Sequence, residues 1–269
     1  MKFLYSKLIF IIIISSISKI SLSHEFWIDP ENYNLKNKDI ITAGVFIGDN
    51  FEGYQIAFSR EYFKNLKLFS NNKKIKIQGR LGDFPALNIK KTFKGLNIIQ
   101  IESQMNYVNY ENLTKFEVFS RQKGYSNLAD KHRKNNYPES FVESYKRYAK
   151  SLVSVETFDG NDVDTNMELE LIFLDNPLKN LKKSKRVLLE YQNKILTDHK
   201  VSLMSFNNGY FRKEYVKTNK DGYFEYFFKN DTKYLIESVV IIEGSNKKKH
   251  NYAKWHSLWT SYTFRTPDK

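Results

Sequence analysis

A chain of 269 residues with no cysteine and 16% aromatic residues has the material for a sizeable apolar core, but it cannot make a disulfide, a thiolate nucleophile or a cysteine metal site. Its net charge of +13 is spread as scattered lysines and short knots at Lys73-Lys74, Lys182-Lys183 and Lys247-Lys248-Lys249, without a long basic helix, which argues against nucleic acid as a partner. No glycine-rich phosphate loop, HExxH pair or GxSxG elbow is present, so a non-enzymatic role is expected.

Residues 1–23 have the three parts of a secretory signal. Lys2 and Lys7 give the positive start, Leu8 to Ile14 the apolar core, and Ser21 and Ser23 the small residues of a cleavage site. The apolar run is too short to span a bilayer, and no later segment is long and apolar enough, so the processed protein is expected not to be an integral membrane protein. A periplasmic location follows as the expectation. Cleavage after Ser23 makes His24 the first residue of the exported chain.

Residues 24–125 read as short strands forming an N-terminal β-sandwich unit. Asp39 to Gly48 is β-branched and apolar. Leu66-Lys67-Leu68-Phe69 and Lys74-Ile75-Lys76-Ile77 flank a polar turn and predict a hairpin with Ile75 and Ile77 on its dry face. Leu96 to Glu102 and the alternating Lys115 to Phe119 predict two further strands. Residues 126–164 change character and predict a helical connector. Pro138 and Glu139 suit a first turn, and Phe141, Val142, Tyr145, Tyr148, Ala149 and Leu152 recur at spacings of three and four. Residues 165–269 return to strands: Met167 to Leu174, Arg186 to Tyr191, Lys200 to Ser205, Tyr215 to Thr218, Tyr223 to Phe228, Tyr234 to Glu243 and Trp255 to Arg265. Asn219-Lys220-Asp221-Gly222 predicts a hairpin turn with a left-handed Gly222. The fold class expected is mainly β, antiparallel sandwiches of immunoglobulin or transthyretin type with one helical connecting segment.

The histidines are the candidate metal ligands. A terminal His24 offers its α-amine and its imidazole as a chelate. Strand alternation puts His256 on the face of Leu258, Tyr262 and Phe264, where a hydrogen-bonded core role is the plainer reading. His250 follows three lysines as a loop ligand, and Glu25 can complete the shell. His132 and His199 read as structural. Trp27, Trp255 and Trp259 read first as core, with an exposed aromatic platform for sugar or peptide as the competing reading.

Taken together, His24-Glu25-Phe26-Trp27-Ile28-Asp29-Pro30 after the signal, Ser144 to Val153, Leu169-Glu170-Leu171 to Asn176-Pro177-Leu178, Thr218 to Gly222 and Trp255 to Phe264 give the chain a form that resembles the DUF4198 family, exported proteins related to the nickel-uptake NikM group. The segment Asn193 to His199 departs from the family's Gly-Lys-Pro-Leu-x-Gly-Ala pattern, losing its proline and glycines. The resemblance implies a periplasmic β-sandwich that binds a divalent transition-metal ion (nickel or cobalt, with copper next) and serves an inner-membrane metal transporter or an outer-membrane receptor. Two other functions stay open: a non-catalytic carbohydrate- or protein-binding module, and a copper-dependent oxidase.

Overall fold

Strand formers dominate this chain, and most of its strands are buried on both faces, so the elements are set by layering as much as by local pattern. The computed structural model describes residues 24–244, apart from residue 72, and 253–268. The expected leader over residues 1–23, the knot Lys247-Lys248-Lys249 and His250 lie outside the described residues.

The first strands are β1 (Glu25–Pro30), β2 (Asn34–Leu35), β3 (Ile41–Asp49), β4 (Glu52–Ile56), β5 (Phe63–Ser70), β6 (Lys73–Lys76), β7 (Leu87–Ile89), β8 (Gly95–Ser103) and β9 (Asn106–Tyr110). Two helices follow, α1 (Leu113–Gln122) and α2 (Leu128–Lys134), and then the long β10 (Phe141–Val155). The rest is β11 (Leu169–Phe173), β12 (Lys185–Tyr191), β13 (Lys194–Ile195), β14 (Lys200–Asn207), β15 (Tyr210–Lys217), β16 (Tyr223–Tyr226), β17 (Lys233–Glu243) and β18 (Ala253–Arg265).

These strands make three sheets. A central ten-stranded sheet runs β15-β14-β17-β18-β10-β8-β5-β6, with β2 and β9 also paired to β10. A first outer sheet holds β1, β3, β4 and β7, and a second holds β11, β12, β13 and β16. Pairing is antiparallel apart from β10 with β18 and β10 with β2. The mainly β, sandwich-type fold is as expected.

Alternation along β18 shows how the layers divide. Leu258, Tyr262 and Phe264 enter the core shared with the second outer sheet, beside Leu171, Phe173 and Val187. Trp255 and Trp259 point the other way, into a core roofed by the two helices. Ala149 and Val153 of β10 meet Ile28, Val45 and Ile99 beneath the first outer sheet. The central sheet is therefore covered on both faces, with helices and the first outer sheet on one side and the second outer sheet on the other.

Two expected elements are corrected. The helix predicted through Phe141 to Leu152 is the strand β10. Tyr148 and Leu152 serve one core while Ala149 and Val153 serve the other, so burial on both faces erased the alternation that identifies a strand. Conversely, Lys115 to Phe119 is not a strand but part of α1. Asn112 caps it, accepting from the Thr114 amide at 3.1 Å, and Leu113, Phe116 and Phe119 form its buried stripe. Phe116 stacks on Trp255 and Phe119 on Trp259, with ring centroids 5.4 Å apart in both pairs.

The hairpin of β5 and β6 forms as expected, with Leu68 opposite Ile75. At Asn219 to Gly222 the turn itself is as expected, and Gly222 takes φ of 81°. Its two arms do not pair with each other, however. β15 pairs with β14 in the central sheet, and β16 pairs with β12 in the second outer sheet. The turn carries the chain between layers.

Beneath the second outer sheet sits a buried ionic knot. Lys150 Nζ lies 2.9 Å from carboxylate oxygens of both Asp162 and Glu170, all three being shielded from solvent. Glu170 also accepts from the Thr165 and Met167 amides, and Asp162 from the Phe173 amide, so the loop between β10 and β11 is held by satisfied charges.

Candidate functional site

The described chain begins at His24, and β1 behind it is fixed on three sides. Its in-sheet edge pairs with β3, Glu25 opposite Gly48 and Pro30 opposite Ala43. On its other edge three alternate carbonyls are capped by side chains of the central sheet. Arg147 Nη2 donates to His24 O at 3.3 Å, Ser261 Oγ to Phe26 O at 2.6 Å and Thr263 Oγ1 to Ile28 O at 2.5 Å. An edge strand that would otherwise present unpaired carbonyls is thus docked onto the sheet.

Side chains of β1 alternate to match. Phe26 and Ile28 enter the core under the first outer sheet. Trp27 packs with Met204 and Leu235 and stacks on Phe46 at 5.5 Å. Asp29 pairs with Lys233 at 2.8 Å and accepts from the Tyr33 hydroxyl at 2.9 Å.

Glu25 is buried, accepting from Lys213 Nζ at 3.1 Å and from the Asn50 amide at 2.8 Å. Burial, with the nearby negative charge of Glu237, pushes its pKa up to about 7 against the pull of Lys213 and Lys123. Burial also works against the Lys213 ammonium, but Glu25 and Glu237 outweigh it and raise that pKa. Glu25 is thus committed to internal partners, Lys213 and the Asn50 amide. Lys123 holds Glu237 at 2.9 Å and lies over the Trp259 ring.

The His24 ring lies at the surface, its Nδ1 3.0 Å from Asp49 Oδ2 at the end of β3. Asp49 is brought there by the β1–β3 register, a long-range pairing that residue spacing does not announce. His256 is elsewhere. It shares a sheet face with Leu258, Tyr262 and Phe264, as expected, and its Nδ1 lies 3.0 Å from Ser144 Oγ and 3.1 Å from Ser144 O. β1 sits over the other face, against Ser261 and Thr263. The structure therefore does not bring His24 and His256 together: they lie on opposite sides of the central sheet. Burial lowers the pKa of His256.

The remaining described histidines are structural. His132 Nδ1 accepts from Trp255 Nε1 at 3.0 Å while its Nε2 faces Pro138 O at 2.9 Å. His199 Nε2 lies 3.1 Å from Val239 O. Trp27, Trp255 and Trp259 are all core residues, so the exposed aromatic platform is not built from them. Among the described residues, no three His, Asp or Glu side chains gather as a metal-ion cage.

Beside His24 opens a cavity of about 320 Å³ between the first outer sheet and the β9–β10 ribbon. Phe26, Tyr54, Tyr62, Tyr110 and Tyr145 line it together with Arg147. Behind it, the buried Glu143 accepts from the Tyr110 hydroxyl at 2.8 Å and from Ser257 Oγ, and burial pushes its pKa up to about 7. Neither Asp49 nor Arg147 stood out in the sequence: the first lies at a strand end, and the second lies inside the stretch read as a helix.

Layered, mainly antiparallel β-sheets with an edge strand docked at the first described residues define a β-sandwich protein with a cavity beside that strand. The Domain of unknown function (DUF4198) family matches residues 21–241, and the chain belongs to that family. No curated protein matches it.

Proposed function

We propose that this is a periplasmic, non-catalytic protein that binds a divalent transition-metal ion, nickel first and cobalt or copper next, as cargo for an uptake system related to the NikM group. The observation that carries the reading is the approach of His24 Nδ1 to Asp49 Oδ2 at 3.0 Å. Once export processing frees the His24 α-amine, an ion there meets three donors: amine, imidazole and carboxylate. Amine and imidazole close a chelate ring, and nitrogen donors of this kind suit nickel, copper and cobalt. The capped carbonyl of His24 and the β1–β3 pairing hold the backbone still, so little ordering cost falls on binding. Asp49 takes the place given to His256 and Glu25 in the sequence reading, one facing the opposite side of the sheet and the other spent on Lys213. His250, outside the described residues, remains a candidate for a further position.

The test has two parts. Mass spectrometry of the exported protein is expected to give His24 as its first residue. Calorimetric titration of that untagged protein with nickel, cobalt and copper is expected to give a Kd tighter than ~10 µM, corresponding to about 7 kcal/mol. Both His24→Ala and Asp49→Ala should weaken binding at least about tenfold, a loss of about 1.4 kcal/mol, and His256→Ala should leave it unchanged. A different first residue, or equal affinity in all three variants, sinks the proposal.

A further inference from the structure

The cavity next to His24 contains a cation, Arg147, that forms no direct ion pair among the described residues. Arg147 rises from the middle of β10, and its amide donates to Ser103 Oγ at 2.9 Å. Among the described residues its Nε is buried without a hydrogen-bond partner. The guanidinium lies over the Tyr145 ring at 4.7 Å and donates to His24 O at 3.3 Å. Burial pulls the Arg147 pKa down, and the carboxylate that supports the cation is Glu143. Glu143 is already engaged by Tyr110 and Ser257.

A desolvated guanidinium needs compensating negative charge, because burying an unpaired ion is costly. Its planar fork matches a carboxylate better than a spherical anion. The walls add the second half of the specificity. Phe26, Ile47, Ile56, Tyr62 and Tyr145 supply apolar and aromatic surface, and Tyr54 and Tyr62 are still more than half exposed in the free protein. A cavity of about 320 Å³ is at the small end of ligand pockets.

We infer that this cavity binds a small organic carboxylate with a flat, apolar body, its carboxylate on Arg147 and its body between Tyr54, Tyr62 and Phe26. The site does not depend on the metal proposal. It is built from side chains of β1, β3, β4, β8, β9 and β10 and the segment around Tyr62, and it is complete without an ion at His24.

The experiment uses the exported protein treated with EDTA, and the probes are benzoate, phenylacetate and 3-phenylpropionate, each beside its neutral amide. Binding is read by ligand-observed NMR and calorimetry. At least one acid is expected to bind with a Kd below about 1 mM, and its amide at least about tenfold more weakly. Arg147→Gln should abolish acid binding, and Tyr54→Ala should weaken it severalfold. Absence of binding by all three acids, an amide binding as well as its acid, or unchanged affinity in Arg147→Gln overturns the inference. Should Arg147→Gln fail to fold, the acid–amide comparison on the unaltered protein and the Tyr54→Ala result decide it. Because the assay is metal-free, failure of metal binding at His24 leaves its outcome unaffected.

Discussion

Two buried carboxylates contribute to how this protein responds to pH. Glu143 is fully enclosed, and burial lifts its pKa from 4.5 to about 7, even though Ser257 and Tyr110 both donate to it. Glu25 is lifted to a similar value by burial and by Glu237. In the unfolded chain both carboxyls lose their protons near 4.5. Between about 4.5 and 7 the folded state therefore holds more protons than the unfolded one, and stability falls as pH rises through that window. Each group contributes on the order of a few kcal/mol, since one pKa unit corresponds to about 1.4 kcal/mol. Burial lowers the pKa values of His199 and His256, which act in the opposite sense in part of this window, so the carboxylate's share is read from a variant: by calorimetry, Glu143→Gln should gain melting temperature at pH 8 relative to its change at pH 5. An equal change in melting temperature at the two pH values contradicts the assignment. None of this was legible in the sequence: Glu25 stands between His24 and Phe26 and Glu143 between Val142 and Ser144, and only the fold shows their burial.

At the scale of elements, β1 is held by an arrangement that exchanges backbone pairing for side-chain caps. The hydroxyls of Ser261 and Thr263 stand on the face of β18 that meets β1 and satisfy two of its buried carbonyls. Thr263→Val keeps the volume and removes the donor, leaving Ile28 O unpaired in the core. Such an orphaned acceptor costs roughly 1–3 kcal/mol, and urea unfolding of the variant should show a loss in that range. A loss below about 0.3 kcal/mol would mean that the cap is dispensable or replaced by water. The sequence revealed β18 well, including the separation of its tryptophans from Leu258, Tyr262 and Phe264. It failed at β10 and α1 for opposite reasons. β10 is buried on both faces, so its apolar residues fall at helix-like spacings by composition. α1 carries Phe116 and Val118 in a short run that alternates by chance, and its Asn112 cap was not read from the sequence. Reading β10 as a helix also hid Arg147, whose place beside His24 follows only from a strand crossing beneath β1.

For the whole molecule, the decisive feature is that one sheet collects strands from both halves of the chain. β5, β6 and β8 come from residues before 126, and β14, β15, β17 and β18 from residues after 165, with β10 joining them. The parallel pairing of β10 with β18 runs from Val142 opposite Ala253 to Ser151 opposite Thr263. The sequence divides readily into two β-units because composition changes at residues 126–150, but composition carries no information on which strands pair across that change. The turn at Asn219 to Gly222 has the same limit: its chemistry was readable, yet the destinations of its two arms were not. Separating the halves would strip Ile98 and Leu96 from Tyr148 and Leu152, and Trp27 from Leu235, exposing apolar surface on each side. Exposure of that kind couples the halves, since neither retains a closed core once the other unfolds. Thermal unfolding of the exported chain should therefore be a single transition, with calorimetric and van't Hoff enthalpies in agreement. Near-ultraviolet signals from Trp27, in the first half, and from Trp255 and Trp259, in the second, should be lost together. Two resolved transitions, with Trp27 reporting one and the other tryptophans the second, would show that the shared sheet does not bind the halves into one cooperative unit.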